Sequence, residues 1–127
     1  MTENEISKVV VDAAIQVHRT LGSGLFESVY EIVFAYELEK RGLKVKRQVP
    51  ISIKYDGLKF DEGFRADIIV EEKVVLELKS VEKLSASHRK QIQTYLRLTG
   101  LKLGFLLNFG ASLMKDGIVR AVNGLEE

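Results

Sequence analysis

The sequence predicts an α/β sandwich, a mixed central β-sheet flanked by α-helices, in one domain spanning residues 1–127. Three observations lead there. An amphipathic helical segment and a more uniformly apolar one open the chain, a block of β-branched runs fills its middle, and one further helix separates that block from two closing strands. The expected order is α-α-β-β-β-β-α-β-β. No internal repeat, low-complexity run or linker divides it.

Ile6, Val9, Val10, Ala13, Val17 and Leu21 recur at helical spacing and set a first helix over residues 4–20. Gly22-Ser23-Gly24 breaks it. A second helix over residues 25–41 carries Leu25, Phe26, Val29, Val33 and Tyr36. Apolar around much of its circumference, it is expected to be buried, with Gly42 as its C-terminal cap. Residues 44–55, which include the single proline Pro50, and residues 58–64 read as strands joined through Asp56-Gly57, a strong turn signal. A hairpin of two more strands follows, and then a third helix over residues 86–99. Ser85 or Ser87 is placed to cap that helix, and Ile92, Tyr95, Leu96 and Thr99 form its inward stripe. Strands near residues 102–109 and 117–122 finish the chain.

The hairpin carries the chemistry. Phe64–Val70 and Val74–Lys79 are rich in β-branched residues, and the charged Glu71-Glu72-Lys73 between them reads as the turn. Pairing Val70 with Val74 and counting back sets Asp67 opposite Glu77 on one face, where Cβ atoms stand about 4.5–5.5 Å apart. Two carboxylates that close repel unless a proton or a cation lies between them. Oxygen ligands without thiolates suit a hard divalent ion such as Mg²⁺ or Mn²⁺. Lys79, two residues beyond Glu77, shares its face and can orient a water or stabilise charge on a phosphoryl group. A solvated strand face, with Glu77 and Lys79 attracting one another, accounts for the same D-x9-E-L-K spacing.

Around this hairpin stand Gly24-Leu25-Phe26-Glu27-Ser28-Val29-Tyr30 and Gln91-Ile92-Gln93-Thr94-Tyr95. Together with D-x9-E-L-K, these segments resemble the small GxxExxY proteins of the PD-(D/E)XK nuclease superfamily over nearly the whole chain, Gly24, Glu27 and Tyr30 matching the naming motif. The resemblance implies a restriction-endonuclease-like fold. It also implies that Asp67 and Glu77 bind the metal, that Lys79 assists attack on phosphate, and that Glu27 completes the site from a helix. Gln91 and Tyr95, one helical turn apart, match a Q-x-x-x-Y pattern that borders the active site in the exonuclease branch. One departure is visible: Ser23 stands where relatives carry proline, which leaves the loop before Glu27 freer. Arg65 shares the strand face of Asp67 and is a candidate phosphate contact or a salt-bridge partner of either acid. His18, a lone histidine, reads as a structural residue.

Composition bounds the alternatives. A chain of 127 residues buries about two-thirds of the surface it would expose unfolded. The lack of cysteine excludes disulfides, thiolate zinc sites and a cysteine nucleophile, and suits a reducing cytoplasm. No apolar run approaches the roughly 20 residues that span a bilayer, and no signal peptide is recognised. A formal net charge of +1 is weak for a nucleic-acid binder. Distribution matters more: Lys40, Arg41, Lys44, Lys46 and Arg47 form one basic stretch and Arg89, Lys90 and Arg97 another, either of them a solvated face or a lip for substrate. The leading expectation is a Mg²⁺- or Mn²⁺-dependent nuclease acting on nucleic acid, DNA foremost, with low sequence specificity, no membrane partner, and homodimerisation left open. The alternatives are a catalytically inactive member of the fold serving as a nucleic-acid-binding or oligomeric interaction module, and an unrelated α/β domain with an acidic surface hairpin.

Overall fold

Thr2 starts the first helix. Its hydroxyl accepts the Glu5 amide at 3.2 Å while the Glu5 carboxylate accepts the Thr2 amide at 2.8 Å, a reciprocal cap that satisfies two otherwise orphaned donors. In the computed structural model, which describes residues 1–126, helix α1 runs Glu3–Leu21 and α2 runs Glu27–Lys40. Strand β1 (Val45–Tyr55), β2 (Leu58–Val70) and β3 (Val74–Lys79) follow, then α3 (Ala86–Thr99), β4 (Leu103–Asn108), a 3-10 turn (Met114–Gly117) and β5 (Ile118–Val122). Gly42, at φ 91°, ends α2 in the left-handed conformation that a side chain resists. The Leu43 amide then reaches back to the Leu38 carbonyl and the Gly42 amide to that of Glu39, which closes the helix. Ser85, not Ser87, caps α3.

The five strands lie in the sheet in chain order, β1 to β5, antiparallel except for the parallel pair β3 and β4. That pair requires a crossover, which α3 supplies. Helices α1 and α2 cover one face, where Tyr30, Phe34, Leu38, Leu76, Phe105 and Phe109 form the larger core. On the other face α3 presses Ile92 and Leu96 onto Ala66, Ile69, Val75 and Ala121. Gly104 allows this approach, because a Cβ there would meet Val75 Cγ1 at 2.9 Å and both helix side chains near 3.1–3.2 Å. The mixed sheet with three helices is the restriction-endonuclease-like α/β architecture expected from the sequence.

Two expectations are corrected. The segments 58–64 and 64–70 are not separate strands, so the order is α-α-β-β-β-α-β-β. The ladder to β1 runs unbroken past Phe64 because a bulge absorbs the interruption: Ile51 pairs with Phe64 and Ile53 with Phe60, leaving Asp61, Glu62 and Gly63 opposite Ser52 alone. Helix α2 is not buried all round. Tyr30, Glu31, Phe34, Ala35 and Leu38 turn inward, whereas Phe26, Val29, Ile32 and Tyr36 face solvent, since α1 and the sheet cover only one side of it.

Candidate active site

Strands β2 and β3 pair regularly from Val70↔Val74 to Ile68↔Leu76, and there the ladder stops. One residue further, side chains take over. The Asp67 amide donates to Glu77 Oε1 at 3.1 Å, and the Leu78 amide donates to Asp67 Oδ2 at 2.9 Å. Each acid thus accepts a main-chain hydrogen bond from the other's strand, which holds the carboxyl groups together at the fork. The three-residue connection Glu71-Glu72-Lys73 delivers this register as expected. Glu71 and Glu72 adopt φ of 52° and 56°, and the Lys73 amide closes the turn on the Val70 carbonyl at 2.9 Å.

Burial makes the pair costly. Glu77 is 5% exposed, and its pKa is pushed up to about 8, first by loss of water and then by the neighbouring Asp67 charge. Burial also raises Asp67, with the charge of Glu31 adding to it and the hydrogen bond from the Leu78 amide opposing it. Lys79 is half-buried at the end of β3, forms no ion pair within 4.0 Å among the described residues, and stands near enough for its charge to oppose the rise on both acids.

On β1, Gln48 stands opposite Asp67, between the pairs Arg47↔Ile68 and Val49↔Ala66, with φ 51°. This left-handed residue reverses which side of the sheet the strand presents. Arg47 turns to the α2 face and pairs with Glu31, while Val49 and Ile51 turn to the α3 face. Glu31 is 7% exposed and receives Arg47 Nη2 at 2.8 Å, Arg47 Nε at 3.0 Å and Gln48 Nε2 at 2.6 Å. None of these three residues stood out from spacing. The available signal was Glu31 itself, a carboxylate amid the inward row Tyr30, Phe34 and Leu38, four residues after Glu27 and so on the same helix face.

Glu27 is the first residue of α2, exposed, where the helix N-terminus also favours a carboxylate. The helix-borne charge that registers on Asp67 is that of Glu31. The loop before Glu27 is tied down despite Ser23. Tyr30 Oη donates to the Gly22 carbonyl at 2.6 Å and accepts the Leu25 amide at 3.2 Å, and Ser80 Oγ donates to the Leu25 carbonyl at 2.7 Å. Tyr30 stacks on Phe109 with ring centroids 4.8 Å apart, so a core ring anchors the G-x-x-E-x-x-Y loop to the end of β4, where the Phe109 amide bonds the Lys79 carbonyl. Asn108 anchors the chain beyond Lys79, its side-chain amide bonded both ways to the main chain of Val81.

Tyr95 is neither core nor free. It stacks face to face on Phe64 at 4.0 Å, and burial together with the Glu77 and Asp67 charges raises its hydroxyl pKa. Gln91, one turn earlier, is exposed on the same flank of α3. Arg65 binds neither acid: both its Nε and Nη2 reach Glu62 Oε1, at 2.7 and 2.6 Å. His18 is satisfied by the Ala111 carbonyl at 2.8 Å, as a structural histidine should be. Of the two basic stretches, the first is largely neutralised, with Lys46 on Glu72, Arg47 on Glu31, and Lys40 and Arg41 on Glu37. Arg89, Lys90 and Arg97 are exposed and make no ion pair within 4.0 Å among the described residues.

Among the described residues, no three His, Cys, Asp or Glu side chains gather into a group able to hold a metal ion. The donor set still fits Mg²⁺, which is commonly held by one or two carboxylates and keeps several waters. A buried and a half-buried acid that cannot both be charged cheaply without a counter-ion are that kind of site.

The model of the PD-(D/E)XK nuclease superfamily matches residues 4–121. A search of curated proteins finds no match. Among solved structures, one described as "Crystal structure of SSO0001" aligns with 95% of this chain and 67% of its own, at 17% identity and a TM-score of 0.44. No helix is long and apolar enough to cross a membrane among the described residues.

Proposed function

The chain belongs to the PD-(D/E)XK nuclease superfamily, and from that premise we propose that it is a Mg²⁺- or Mn²⁺-dependent nuclease hydrolysing phosphodiester bonds, in DNA foremost. The observation that carries the reading is the pairing of half-buried Asp67 with buried Glu77 at the fork of β2 and β3, with Lys79, in no ion pair among the described residues, two residues beyond. A divalent ion bound there supplies Lewis-acid polarisation of the scissile phosphate and a lowered pKa for the attacking water. Asp67 and Glu77 would hold it, each having only one carboxyl oxygen engaged by a main-chain amide. Lys79 positions the water and neutralises charge on the phosphate as the bond to the leaving oxygen breaks. Glu27, at the start of α2 beside the loop tethered by Tyr30, would support the metal, with Glu31 setting the charge behind Asp67. Gln91, Tyr95 and, once released from Glu62, Arg65 contact substrate along the α3 side.

The finer placement in the GxxExxY branch rests on Gly24, Glu27 and Tyr30, and on the structural task found for the tyrosine. With no separate recognition domain in these residues, binding is expected to follow phosphates, affinity falling with salt by about 0.9 log units per log unit for each phosphate neutralised on duplex DNA. The test is cleavage of circular and linear DNA, single- and double-stranded, with Mg²⁺, Mn²⁺ or EDTA. The wild type should cut only with metal, and Lys79→Ala should abolish cutting while retaining fold and metal binding. Activity in EDTA, or undiminished activity in Lys79→Ala, would overturn the proposal.

A further inference from the structure

The first two strands outrun the sheet. Strand β3 pairs with β2 only over Ile68–Val70, whereas β1 and β2 remain paired to Tyr55↔Leu58. The remainder ends in a two-stranded arm that runs from Ile51↔Phe64 to Tyr55↔Leu58, about 13 Å along β1 at the usual rise per residue. It leaves the body where Phe64 stacks on Tyr95, three residues from Asp67.

An isolated ribbon with a greasy end costs solubility and gains nothing for folding. Yet Tyr55, Leu58 and Phe60 at its tip are 73%, 62% and 56% exposed. Alternation along the ladder sorts the tip into two faces. The pairs Tyr55↔Leu58 and Ile53↔Phe60 share one side, and Lys54↔Lys59 takes the other. Two lysines directly opposed across an antiparallel pair repel, which is a cost unless an anion lies between them. Lys59 is only loosely compensated by the exposed Asp61 at 3.9 Å, and Lys54 has no ion pair among the described residues.

Exposed rings on one side of a narrow ribbon and opposed cations on the other suit a nucleic-acid strand: bases stack on the rings, and the positive charge of the paired ammonium groups draws the phosphates toward the arm. We propose that this arm is a single-strand grip, stacking an unpaired or splayed strand of the substrate on Tyr55 and Phe60 while the positive charge of Lys54 and Lys59 on the reverse side of the ribbon attracts its phosphates, and leading it along β2 to the acid pair. The inference deepens the nuclease reading and rests on it for the direction of that strand, not for the binding itself. The continuity of β2 from Leu58 to Asp67 makes arm and site one element, so a strand held at the tip is held in register with the carboxylates.

The experiment uses the full chain and a fluorescein-labelled deoxyoligonucleotide, presented single-stranded, as a splayed fork, or as a blunt duplex. Binding is read by anisotropy in EDTA, and cleavage separately in Mn²⁺. The variants are Tyr55→Ala, Phe60→Ala and Lys54→Glu, all at exposed positions, with thermal melts as controls. Each ring deletion should weaken single-strand and fork binding by about tenfold, and the blunt duplex much less, with unchanged melts. Lys54→Glu should weaken all three substrates and flatten the salt dependence. Unchanged binding in every variant would overturn the grip while leaving the nuclease assignment intact. Arm-dependent binding by a wild type that never cleaves would uphold the grip and refute the nuclease reading. A change of oligomeric state in the ring variants by sedimentation, without loss of DNA binding, would assign the arm to self-association and also overturn the proposal.

Discussion

Asp67 and Glu77 hold each other in place through the backbone: Glu77 Oε1 takes the amide of Asp67, and Asp67 Oδ2 takes the amide just after Glu77. Neither acid can turn away to solvent without leaving a main-chain donor unmet, a loss of about 1–3 kcal/mol for a buried group. The acids therefore stay together even though together they cannot both ionise cheaply.

Stability without metal should reflect that conflict. A carboxyl whose folded pKa lies above its unfolded value binds more protons in the native state, so its contribution is full below the unfolded value and is lost as pH rises through the folded one. For Glu77 the window runs from its ordinary 4.5 to about 8. In EDTA the melting temperature should fall across this window in the wild type and fall less in Glu77→Gln. Mg²⁺ should remove most of the wild-type slope, since an ion bound only to the native state stabilises it by about 2.7 kcal/mol at 100 times its dissociation constant. A wild-type slope equal to that of Glu77→Gln would refute the assignment.

Glu31→Gln tests the charge behind the site. The amide still meets Gln48 but leaves Arg47 without its counter-charge, and because Arg47 is about half exposed the cost should be modest, about 1–2 kcal/mol in denaturant melts. Since the Glu31 charge raises Asp67, its removal should lower the Asp67 pKa in a carboxyl NMR titration. An unmoved Asp67 would separate the two groups electrostatically.

Tyr95 and Gln91 should part company. Tyr95→Ala loses the stack on Phe64 and should cost about 1–2 kcal/mol, whereas Tyr95→Phe should melt like the wild type. Gln91→Ala, at an exposed position, should leave the melt unchanged and raise KM for cleavage. A destabilised Gln91→Ala would place that side chain in packing instead.

Tyr30→Phe keeps the ring on Phe109 but releases the Gly22 carbonyl and the Leu25 amide. About 1 kcal/mol of stability should go with the hydroxyl. If Glu27 needs a fixed loop, kcat should fall further than KM rises, and an unchanged kcat would show that the loop's position does not reach the chemistry.

Much of this was legible beforehand, and the failures have physical causes. The three helices, the Asp56-Gly57 turn and the Val70↔Val74 register followed from periodicity and turn chemistry, and the register alone brought Asp67 to Glu77. The bulge at Asp61–Gly63 was not legible, because a polar interruption in a strand looks the same whether the ladder ends or swells there. The exposed side of α2 was missed because apolar residues on both faces give no moment to say which face is covered. Gln48, Glu31 and Asn108 act through neighbours distant in sequence, as with the 27 positions between Val81 and Asn108, and no local pattern announces such partners.

The order of the strands has a kinetic meaning. Because the sheet runs β1 to β5 in chain order, Asp67 and Glu77 meet by closing the short Glu71–Lys73 turn, while Tyr95 reaches Phe64 only after the crossover helix docks across a longer loop. Closure entropy grows with loop length, so the hairpin should form early and α3 late on the folding path. In chevron measurements, substitutions that destabilise the turn should then slow folding, and those at Ile92 or Leu96 should speed unfolding. The reverse assignment would mean that α3 nucleates the domain. With the expected order, the two acids face each other before any substrate-bordering residue arrives, and the growing chain carries their repulsion through the rest of folding.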